Sequence, residues 1–456
     1  MDTVPFYKPD EDSPEMKYLH ERRKALGGYL PSRRLKSNPI KTPSEDLFEE
    51  FYQGTEDREV ATTMVFGRLL AKLLRDKDIG KLIVPIVPDE ARTFGMESLF
   101  RQVGIYSHAG QLYDPVDKES LLYYKEAKDG QILEEGITEA GSMSSFIAAG
   151  TSYSTQGINT IPFFVFYSMF GLQRIGDLAW AAGDMRTRGF LIGGTSGRTT
   201  LAGEGLQHQD GNSHILAYPY PTLKAYDPAF AYELAVIIRD GIKRMFEDQD
   251  SIYYYITVMN EGYHQPSMPK GVKEGILRGI YKFKDSGLKS AKTQVHLLGS
   301  GTILNMAIEA QKILEEKYKV SADVWSVTSY KELHHDALDA ERWNMFNPDK
   351  KARVPYIQEA LKDAKGVFVA ACDYVKALPE SISKWLPGPL ISLGTDGFGR
   401  SDGRAHLRHF FEVDERYITL AALYNLANQG HLDIKVAKKA IKDLDLNPEK
   451  ANPIIS

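Results

Sequence analysis

The sequence predicts an α/β protein built from two three-layer α/β/α domains. Short, continuous apolar runs such as residues 82–87 and 161–166 alternate along the chain with stretches of helical period. This alternation is typical of parallel strands that are buried beneath helices. The length of 456 residues also exceeds what one hydrophobic core normally serves.

The first part of the chain predicts an arm followed by a domain. Residues 1–58 are rich in proline and charge, which favours an extended arm or linker with one short basic helix near 16–25. A first domain is predicted at residues 59–268. Strands are predicted at 82–87, 161–166, 190–192, 215–218 and 252–258, and helices near Glu139–Gly150, 174–182 and 228–247. We interpret the tyrosines at 253–255 as a strand at a subunit interface.

The second predicted domain covers residues 269–456. A strand runs into a glycine turn at 295–301, which we interpret as a structural strand-to-helix turn because it lacks a full dinucleotide fingerprint and the Walker-type lysine. Further elements are a helix at 303–319, strands at 324–327, Val367–Ala371 and Leu390–Leu393, and helices at 417–428 and 435–443.

Composition is that of an ordinary globular protein. Hydrophobic residues make up 43% and charged residues 26%, and the net charge of −5 argues against a nucleic-acid partner. The amino-terminal residues have no signal-peptide pattern, and the apolar runs are too short to span a membrane. The single cysteine, Cys372, lies in an apolar run and predicts a buried small hydrophobe. A cytoplasmic location is therefore expected.

Residues 189–214 are the strongest candidate for a functional segment. Glycines are frequent there and let the backbone approach a ligand, while Glu204, His208 and Asp210 supply titratable groups. A solvated surface loop is the alternative interpretation. A zinc site is disfavoured because Gly205 and Gly211 interrupt any helix that would present the ligands.

Two other places carry acidic residues where ligands often bind. Asp89 and Glu90 directly follow the strand at 82–87, so they predict either a ligand site or an ion pair that caps the next helix. Glu139 begins a helix rich in small residues, where it would serve either acid–base chemistry or the helix dipole.

Several segments, in order, resemble one family. They include PDEARTFGME, EEGITEAGSMSSFIAAGTSYSTQ, YSMFGLQRIGDLAWAAGD and GFLIGGTSGRTTLAGEGLQHQDG, followed by YYYITVMNEGYHQP, ERWNMFNP and LGTDGFGRSDGR. The family is the decarboxylating, thiamin-diphosphate component of the homodimeric bacterial pyruvate dehydrogenase complex. The resemblance implies a pyrimidine-binding domain followed by a domain of the transketolase C-terminal type.

The resemblance also implies roles for particular residues. Glu139 would bond to a pyrimidine nitrogen of thiamin diphosphate and share a proton with it, and Phe170 would stack on the pyrimidine ring. Tyr167 and His208 would contact the substrate carboxylate and later intermediates. The same pocket would be lined by Glu90, Asp89 and Glu204.

One part of the family pattern is missing from the sequence. A Gly-Asp-Gly followed some 25–30 residues later by Asn, which would bind the diphosphate and Mg²⁺, does not occur. We therefore expect an absent N-terminal domain to carry that site and this chain alone to be inactive, whether it is a natural half, an engineered truncation or a mis-started fragment.

The resemblance implies pyruvate as substrate, a lipoyl domain of the acetyltransferase component as acetyl acceptor, and a homodimer, without nucleic acid or membrane. The alternative is a non-catalytic dimerisation or assembly fragment of the same enzyme. A transketolase-like activity on sugar phosphates is disfavoured because the later segments resemble the pyruvate enzymes.

Overall fold

The computed structural model of the protein describes residues 7–28, 34–89, 91–116, 124–288 and 293–456. Of the predicted site residues, Glu90 lies outside these ranges. In the described part of the chain, no helix is both long enough and apolar enough to cross a membrane.

Two parallel sheets organise the molecule. Strands β5, β2, β6, β7, β9 and β8 form a six-stranded sheet in that order, and all its neighbours are parallel. Strands β11, β13, β12, β14 and β15 form a five-stranded sheet in which only β11 is antiparallel to its neighbour. The strands are β1 (Glu59–Val60), β2 (Ile83–Val87), β3 (Ile105–Tyr106), β4 (Glu126–Ala127), β5 (Leu133–Glu134), β6 (Ile161–Tyr167), β7 (Phe190–Gly194), β8 (Leu223–Tyr226), β9 (Tyr253–Thr257), β10 (Tyr263–His264), β11 (Ile280–Lys284), β12 (Gln294–Gly299), β13 (Ser321–Val327), β14 (Val367–Ala371) and β15 (Leu390–Leu393).

Helices cover both faces of each sheet. They are α1 (Pro14–Ala25), α2 (Glu49–Tyr52), α3 (Thr62–Leu73), α4 (Glu97–Gln102), α5 (Glu139–Gly150), α6 (Ser152–Thr155), α7 (Leu172–Asp184), α8 (Ser213–Leu216), α9 (Ala231–Ile242), α10 (Lys273–Arg278), α11 (Ile303–Tyr318), α12 (Tyr330–Phe346), α13 (Tyr356–Ala360), α14 (Ala377–Glu380), α15 (Arg404–Phe411), α16 (Glu415–Asn428) and α17 (Ile434–Asp443).

The first sheet separates two apolar layers. One face packs against α5 and α7 through side chains such as Phe164 and Leu191. The other face packs against α3 and α9 through Phe163 and Phe190, whose rings stack at 4.6 Å. Alternating side chains along each strand reach opposite faces, so a strand buried on both sides is apolar throughout.

The second sheet is layered in the same way. Helices α11 and α16 cover the face that carries Leu297 and Val369, and this apolar layer is continuous with the α3 and α9 side of the first sheet. Helix α12 covers the opposite face, with Leu298 and Phe368. The predicted fold class, two α/β/α domains, is confirmed.

The carboxyl ends of the two sheets meet. Asp227, which follows β8, accepts hydrogen bonds through Oδ1 from the Thr257 hydroxyl at 2.6 Å and from the Tyr374 hydroxyl at 3.1 Å. Tyr374 follows β14 of the second sheet. The predicted turn at 299–301 is present, and the amide of Gly301 donates to the Asp227 carbonyl oxygen at 3.2 Å.

The strand predicted at 215–218 is wrong. The Asp210 carboxylate accepts hydrogen bonds from the amides of Asn212 and Ser213 at 2.9 Å each, and this Asx turn leads into the short helix α8 instead. The edge strand is β8, where Lys224 interrupts the apolar run. Its ammonium group is held 2.6 Å from a Glu332 carboxylate oxygen.

The tyrosines at 253–255 form a strand as predicted, but their placement at a subunit interface is wrong. Strand β9 lies between β7 and β8 within the first sheet, and all three rings are fully buried inside the single chain. Tyr253 and Tyr255 face α5 and α7, whereas Tyr254 faces the opposite layer. Their bulk fills the core of the first sheet.

Cys372 is buried as predicted, directly after β14. Its thiol donates to the carbonyl oxygen of Tyr374 at 3.3 Å, and burial raises the pKa of the thiol. In the amino-terminal segment, helix α1 has no buried residue, while Phe48 and Phe51 pack into the core beside α3 and α9.

Candidate active site

The candidate site lies at the carboxyl edge of the first sheet. Strand β6 ends at Tyr167 and is followed by a short turn with Phe170, and the neighbouring strand β7 is followed by the loop of residues 195–212. Carboxyl ends of adjacent parallel strands lie side by side, so these two connections meet. They bring together side chains that are some forty residues apart in the sequence.

Three rings form an aromatic cluster there, consisting of Tyr167, Phe170 and His208. The His208 ring lies with its centroid 5.3 Å from that of Tyr167 and 5.3 Å from that of Phe170. Phe94 supports the cluster from behind, 5.1 Å from Tyr167. Both partners of His208 are half-buried, so the cluster presents flat apolar surface to a ligand.

Phe94 has room because of a glycine. A Cβ atom at Gly194, the last residue of β7, would lie 2.5 Å from the Phe94 ring. A side chain at this position would displace Phe94, whose ring contacts Tyr167. The glycines of this segment therefore serve the packing of the cluster as well as backbone freedom.

Glu139 lies at the amino terminus of α5, where Thr138 caps the helix by accepting a hydrogen bond from the Gly141 amide. The glutamate is 9% exposed, and its Oε2 accepts from Arg174 at 3.2 Å. The Arg174 guanidinium in turn lies over the Phe170 ring, 4.4 Å from its centroid. Arg174 thus joins the carboxylate to the aromatic cluster.

Glu204 and His208 lie one helical turn apart in sequence. The Nδ1 atom of His208 is 3.6 Å from Glu204 Oε2, which is beyond hydrogen-bond distance. This buried nitrogen has no hydrogen-bond partner among the residues described. A ligand that reaches it would find an unused donor or acceptor on a ring fixed by aromatic contacts.

Asp89 lies in a neighbouring cavity of about 520 Å³, lined also by Arg92, Tyr124 and Glu134. Burial raises the pKa of the Glu134 carboxyl, although the Tyr124 hydroxyl donates to it at 2.8 Å. Within the part of the chain described, the rings of the aromatic cluster do not line this cavity. The structure therefore brings five of the predicted residues together, Glu139, Tyr167, Phe170, Glu204 and His208, and places Asp89 beside them.

Sequence reasoning missed Arg174 as part of the site. The signal that could have found it is its position four residues after Phe170, in the first turn of α7, from which a long side chain can reach the same edge of the sheet. The contact with Glu139 bridges 35 residues and leaves no local pattern.

The described residues contain no group of histidine, cysteine or acidic side chains arranged to hold a metal ion. What they offer is a sheltered carboxylate, a basic group fixed beside it, and a ring surface next to an imidazole. This arrangement can bind a flat heteroaromatic ring and an anionic substrate at one place.

Comparison with known families matches two domains. Residues 41–266 match the pyruvate dehydrogenase E1 component middle domain, and residues 279–414 match the transketolase-like C-terminal domain. The first match contains every residue of the candidate site.

A curated relative, the pyruvate dehydrogenase E1 component of Pseudomonas aeruginosa, is 56% identical over 455 residues. The alignment covers 100% of this chain and 52% of the relative. The chain thus spans about half the length of the curated relatives it matches.

Solved transketolases share the fold. A transketolase from Leishmania mexicana superposes with a TM-score of 0.62 at 15% identity, covering 91% of this chain and 49% of that one. A split-gene transketolase described as an inactive beta4 tetramer gives a TM-score of 0.54 at 15% identity, covering 81% of this chain and 99% of that one. The two domain matches and the 56% identity to the curated relative show that the chain belongs to the family of pyruvate dehydrogenase E1 components, of which it carries the middle domain followed by the transketolase-like C-terminal domain.

Proposed function

We propose that this chain supplies the pyrimidine side of a thiamin-diphosphate site for the oxidative decarboxylation of pyruvate. The observation that carries the proposal is the convergence of Glu139, Phe170, Tyr167 and His208 at one edge of the first sheet. The acetyl product would pass to a lipoyl group on an acetyltransferase partner, in a homodimeric, cytoplasmic enzyme of a multienzyme complex.

The residues present fit the aminopyrimidine part of the cofactor. Glu139 is sheltered and uses only Oε2 for Arg174, so within the described residues Oε1 accepts no hydrogen bond and is available to a ring nitrogen. The Phe170 ring offers a flat face beside it. When bound, thiamin diphosphate supplies the nucleophile that attacks a keto carbon and the electron sink for loss of carbon dioxide.

The protein's own groups bind, orient and move protons. Arg174 fixes the Glu139 carboxylate, which holds and returns one proton at Oε1. His208 presents its unused Nδ1, with Glu204 Oε2 3.6 Å away. Tyr167 and His208 are the groups that we assign to the carboxylate of pyruvate. The family resemblance also assigns to this pocket Asp89, which lies in the neighbouring cavity, and Glu90, which is outside the described residues.

The diphosphate and Mg²⁺ require a further set of ligands. Among the residues described, no three or more His, Cys, Asp or Glu side chains are grouped to hold a metal ion, and the curated relatives are about twice as long. We therefore assign the diphosphate and metal site to a domain outside these 456 residues. The solved split-gene transketolase, inactive as a chain of comparable extent, supports the view that a half of this kind does not act alone.

The first test is binding of thiamin diphosphate with Mg²⁺ to the chain alone, followed by tryptophan fluorescence or heat. We expect weak binding that Mg²⁺ does not improve, since only the pyrimidine side is present. Tight, Mg²⁺-dependent binding would contradict the assignment of the diphosphate site to another domain.

The second test adds, in trans, the half of the Pseudomonas aeruginosa relative that this chain does not match. Pyruvate-dependent reduction of an artificial electron acceptor should appear in the mixture. Glu139→Gln should lower this activity by about 100-fold or more, because the amide cannot exchange a proton with the ring nitrogen.

Glu274→Gln is the matched control, since Glu274 also lies in the first turn of a helix but is exposed and remote from the site. It should keep wild-type turnover. Absence of activity in every mixture would favour a non-catalytic assembly role instead.

A further inference from the structure

Glu204 and His208 lie in a long loop, and both ends of this loop are hydrogen-bonded to segments that follow strands of the second sheet. We call residues 195–212 the site loop. Its middle, residues 202–208, holds both titratable side chains, and Glu204 is exposed. The imidazole is held against the aromatic cluster by the anchoring at either side of this middle part, together with hydrogen bonds of Gly203 to the Asp402 carbonyl oxygen and from the Ser401 hydroxyl.

The first anchor is Asp373, which is fully buried and lies two residues beyond the end of β14. Its Oδ1 accepts from the amide and the hydroxyl of Thr199, both at 2.8 Å. Its Oδ2 accepts from the amide of Thr200 at 3.0 Å and from the Thr200 hydroxyl at 2.6 Å. Its carbonyl oxygen accepts from the Arg198 amide at 3.3 Å.

The backbone of the loop is shaped to receive this carboxylate. Gly197 has a φ of +89°, and a Cβ atom there would lie 2.4 Å from Asp373 Oδ2. Burial raises the pKa of Asp373, while the Thr200 and Thr199 hydrogen bonds and the charge of Arg408 act in the opposite direction. Both carboxylate oxygens are thus fully used within the protein.

The second anchor closes the loop from the other side. Gln209 donates to the Leu201 carbonyl oxygen at 2.9 Å and accepts from the Arg400 amide at 2.7 Å. The Val375 amide donates to the Gly211 carbonyl oxygen at 2.9 Å. Both anchors are therefore built from segments that follow strands of the second sheet.

We propose that Asp373 is a positioning residue for the site: by holding Arg198 to Thr200, it sets where His208 lies against Tyr167 and Phe170. Through Asp373, the second sheet then shapes the site at the edge of the first sheet without contacting a ligand. Two experiments test this role. The kinetic experiment rests on the proposed function, whereas the structural experiment does not.

The structural experiment follows the imidazole of His208 in the isolated chain. In a sample with labelled histidine, the Hε1–Cε1 resonance of His208 is assigned by its loss in His208→Gln. Two rings lie 5.3 Å away, so this resonance carries their ring-current shift. In Asp373→Asn the amide nitrogen replaces one acceptor oxygen, and the resonance should move toward the position of an unstacked imidazole.

The kinetic experiment uses the complemented mixture. Asp373→Asn should lower kcat by roughly 10- to 100-fold, because a small displacement of a reacting group is enough for such a loss. The KM for pyruvate should change less. If no mixture is active at all, the proposed function fails while the resonance of His208 still decides the role of Asp373.

Asp414→Asn is the matched control. Asp414 is also buried and accepts from two amides, those of Arg416 and Tyr417 at 3.0 and 3.1 Å, at the start of α16. It should lower the melting temperature and leave the His208 resonance in place. An equal movement of the resonance in both variants would mean general loosening and would overturn the proposal.

A second variant covers the case in which Asp373→Asn does not fold. Thr199→Val removes one hydroxyl hydrogen bond but keeps the amide bond to Asp373. It should move the His208 resonance in the same direction by a smaller amount. An unchanged resonance in a folded Asp373→Asn or Thr199→Val chain would refute the positioning role.

Discussion

Asp227 joins the two sheets through hydrogen bonds to its carboxylate. Its Oδ1 receives the hydroxyls of Thr257 and Tyr374, whereas Oδ2 has no hydrogen-bond partner among the described residues. Burial raises the pKa of Asp227 to about 7. The carboxyl therefore holds a proton through most of the acid range, when an exposed aspartate would have lost it.

This raised pKa predicts how stability depends on pH. Between about pH 4 and 7 the folded chain binds a proton at Asp227 that the unfolded chain has released, so this group's contribution to the free energy of unfolding falls as pH rises through that window. The loss amounts to roughly 4 kcal/mol, from about 1.4 kcal/mol per pH unit.

Asp227→Asn is the variant that isolates the effect. The difference in free energy of unfolding between wild type and variant, measured by urea denaturation, should shift in favour of the variant as pH rises from about 4 to 7 and stay constant above. His214, whose pKa burial lowers, works in the opposite direction over part of this range and is present in both chains. A difference that does not change with pH would show that Asp227 titrates normally.

At the scale of elements, whether a strand could be predicted from the sequence depends on how continuously apolar its residues are. The strands at 161–166 and Val367–Ala371 were predictable because their residues are apolar without interruption, and in Leu390–Leu393 a single polar residue, Ser392, stands among apolar ones. Strand β8 was not, since Lys224 is tolerated only through its partner Glu332, 108 residues away. The same limit applies to the site, where Arg174 and Asp373 act through contacts with distant parts of the chain.

The residues of the aromatic cluster could be identified from the sequence for a different reason. Tyr167, Phe170 and His208 stand in segments whose resemblance to a family identified them, although nothing in their spacing shows that two separate strands bring them together. Physical reasoning on the loop alone favoured Glu204, His208 and Asp210. Of these, Asp210 accepts hydrogen bonds from the backbone amides that lead into α8.

Strands β6 and β7 carry both the core and the site, so weakening their packing should be costly. Phe163→Ala removes a fully buried ring that stacks on Phe190 and should lower the free energy of unfolding by about 3–5 kcal/mol. Phe398→Ala, at a residue that is 77% exposed, should change it by less than about 0.5 kcal/mol. Urea denaturation of the two variants provides the measurement, and similar losses in both would contradict the assigned core.

The whole molecule is joined by one continuous apolar layer as well as by the polar contacts of Asp227. Residues of α3 and α9, which cover the first sheet, belong to the same buried layer as residues of α11 and α16, which cover the second. Division into two folding units would expose this shared surface. The two sheets should therefore unfold together.

Tryptophan fluorescence can test this cooperativity. In Trp180→Phe the remaining tryptophans, Trp325, Trp343 and Trp385, all belong to the second sheet and its helices. Their fluorescence and the far-ultraviolet circular dichroism of the whole chain should give coincident urea transitions. Separate midpoints would show that the contacts between the two sheets break before either core unfolds.

The lone cysteine lies at this junction. Cys372 is followed directly by Asp373 and Tyr374, so its thiol is enclosed by the same residues that hold the site loop and Asp227. A buried, protonated thiol reacts with a labelling reagent only when the surrounding structure opens. The rate at which the thiol of Cys372 is labelled in the native chain therefore measures how often the two sheets separate. The measurement needs no substitution.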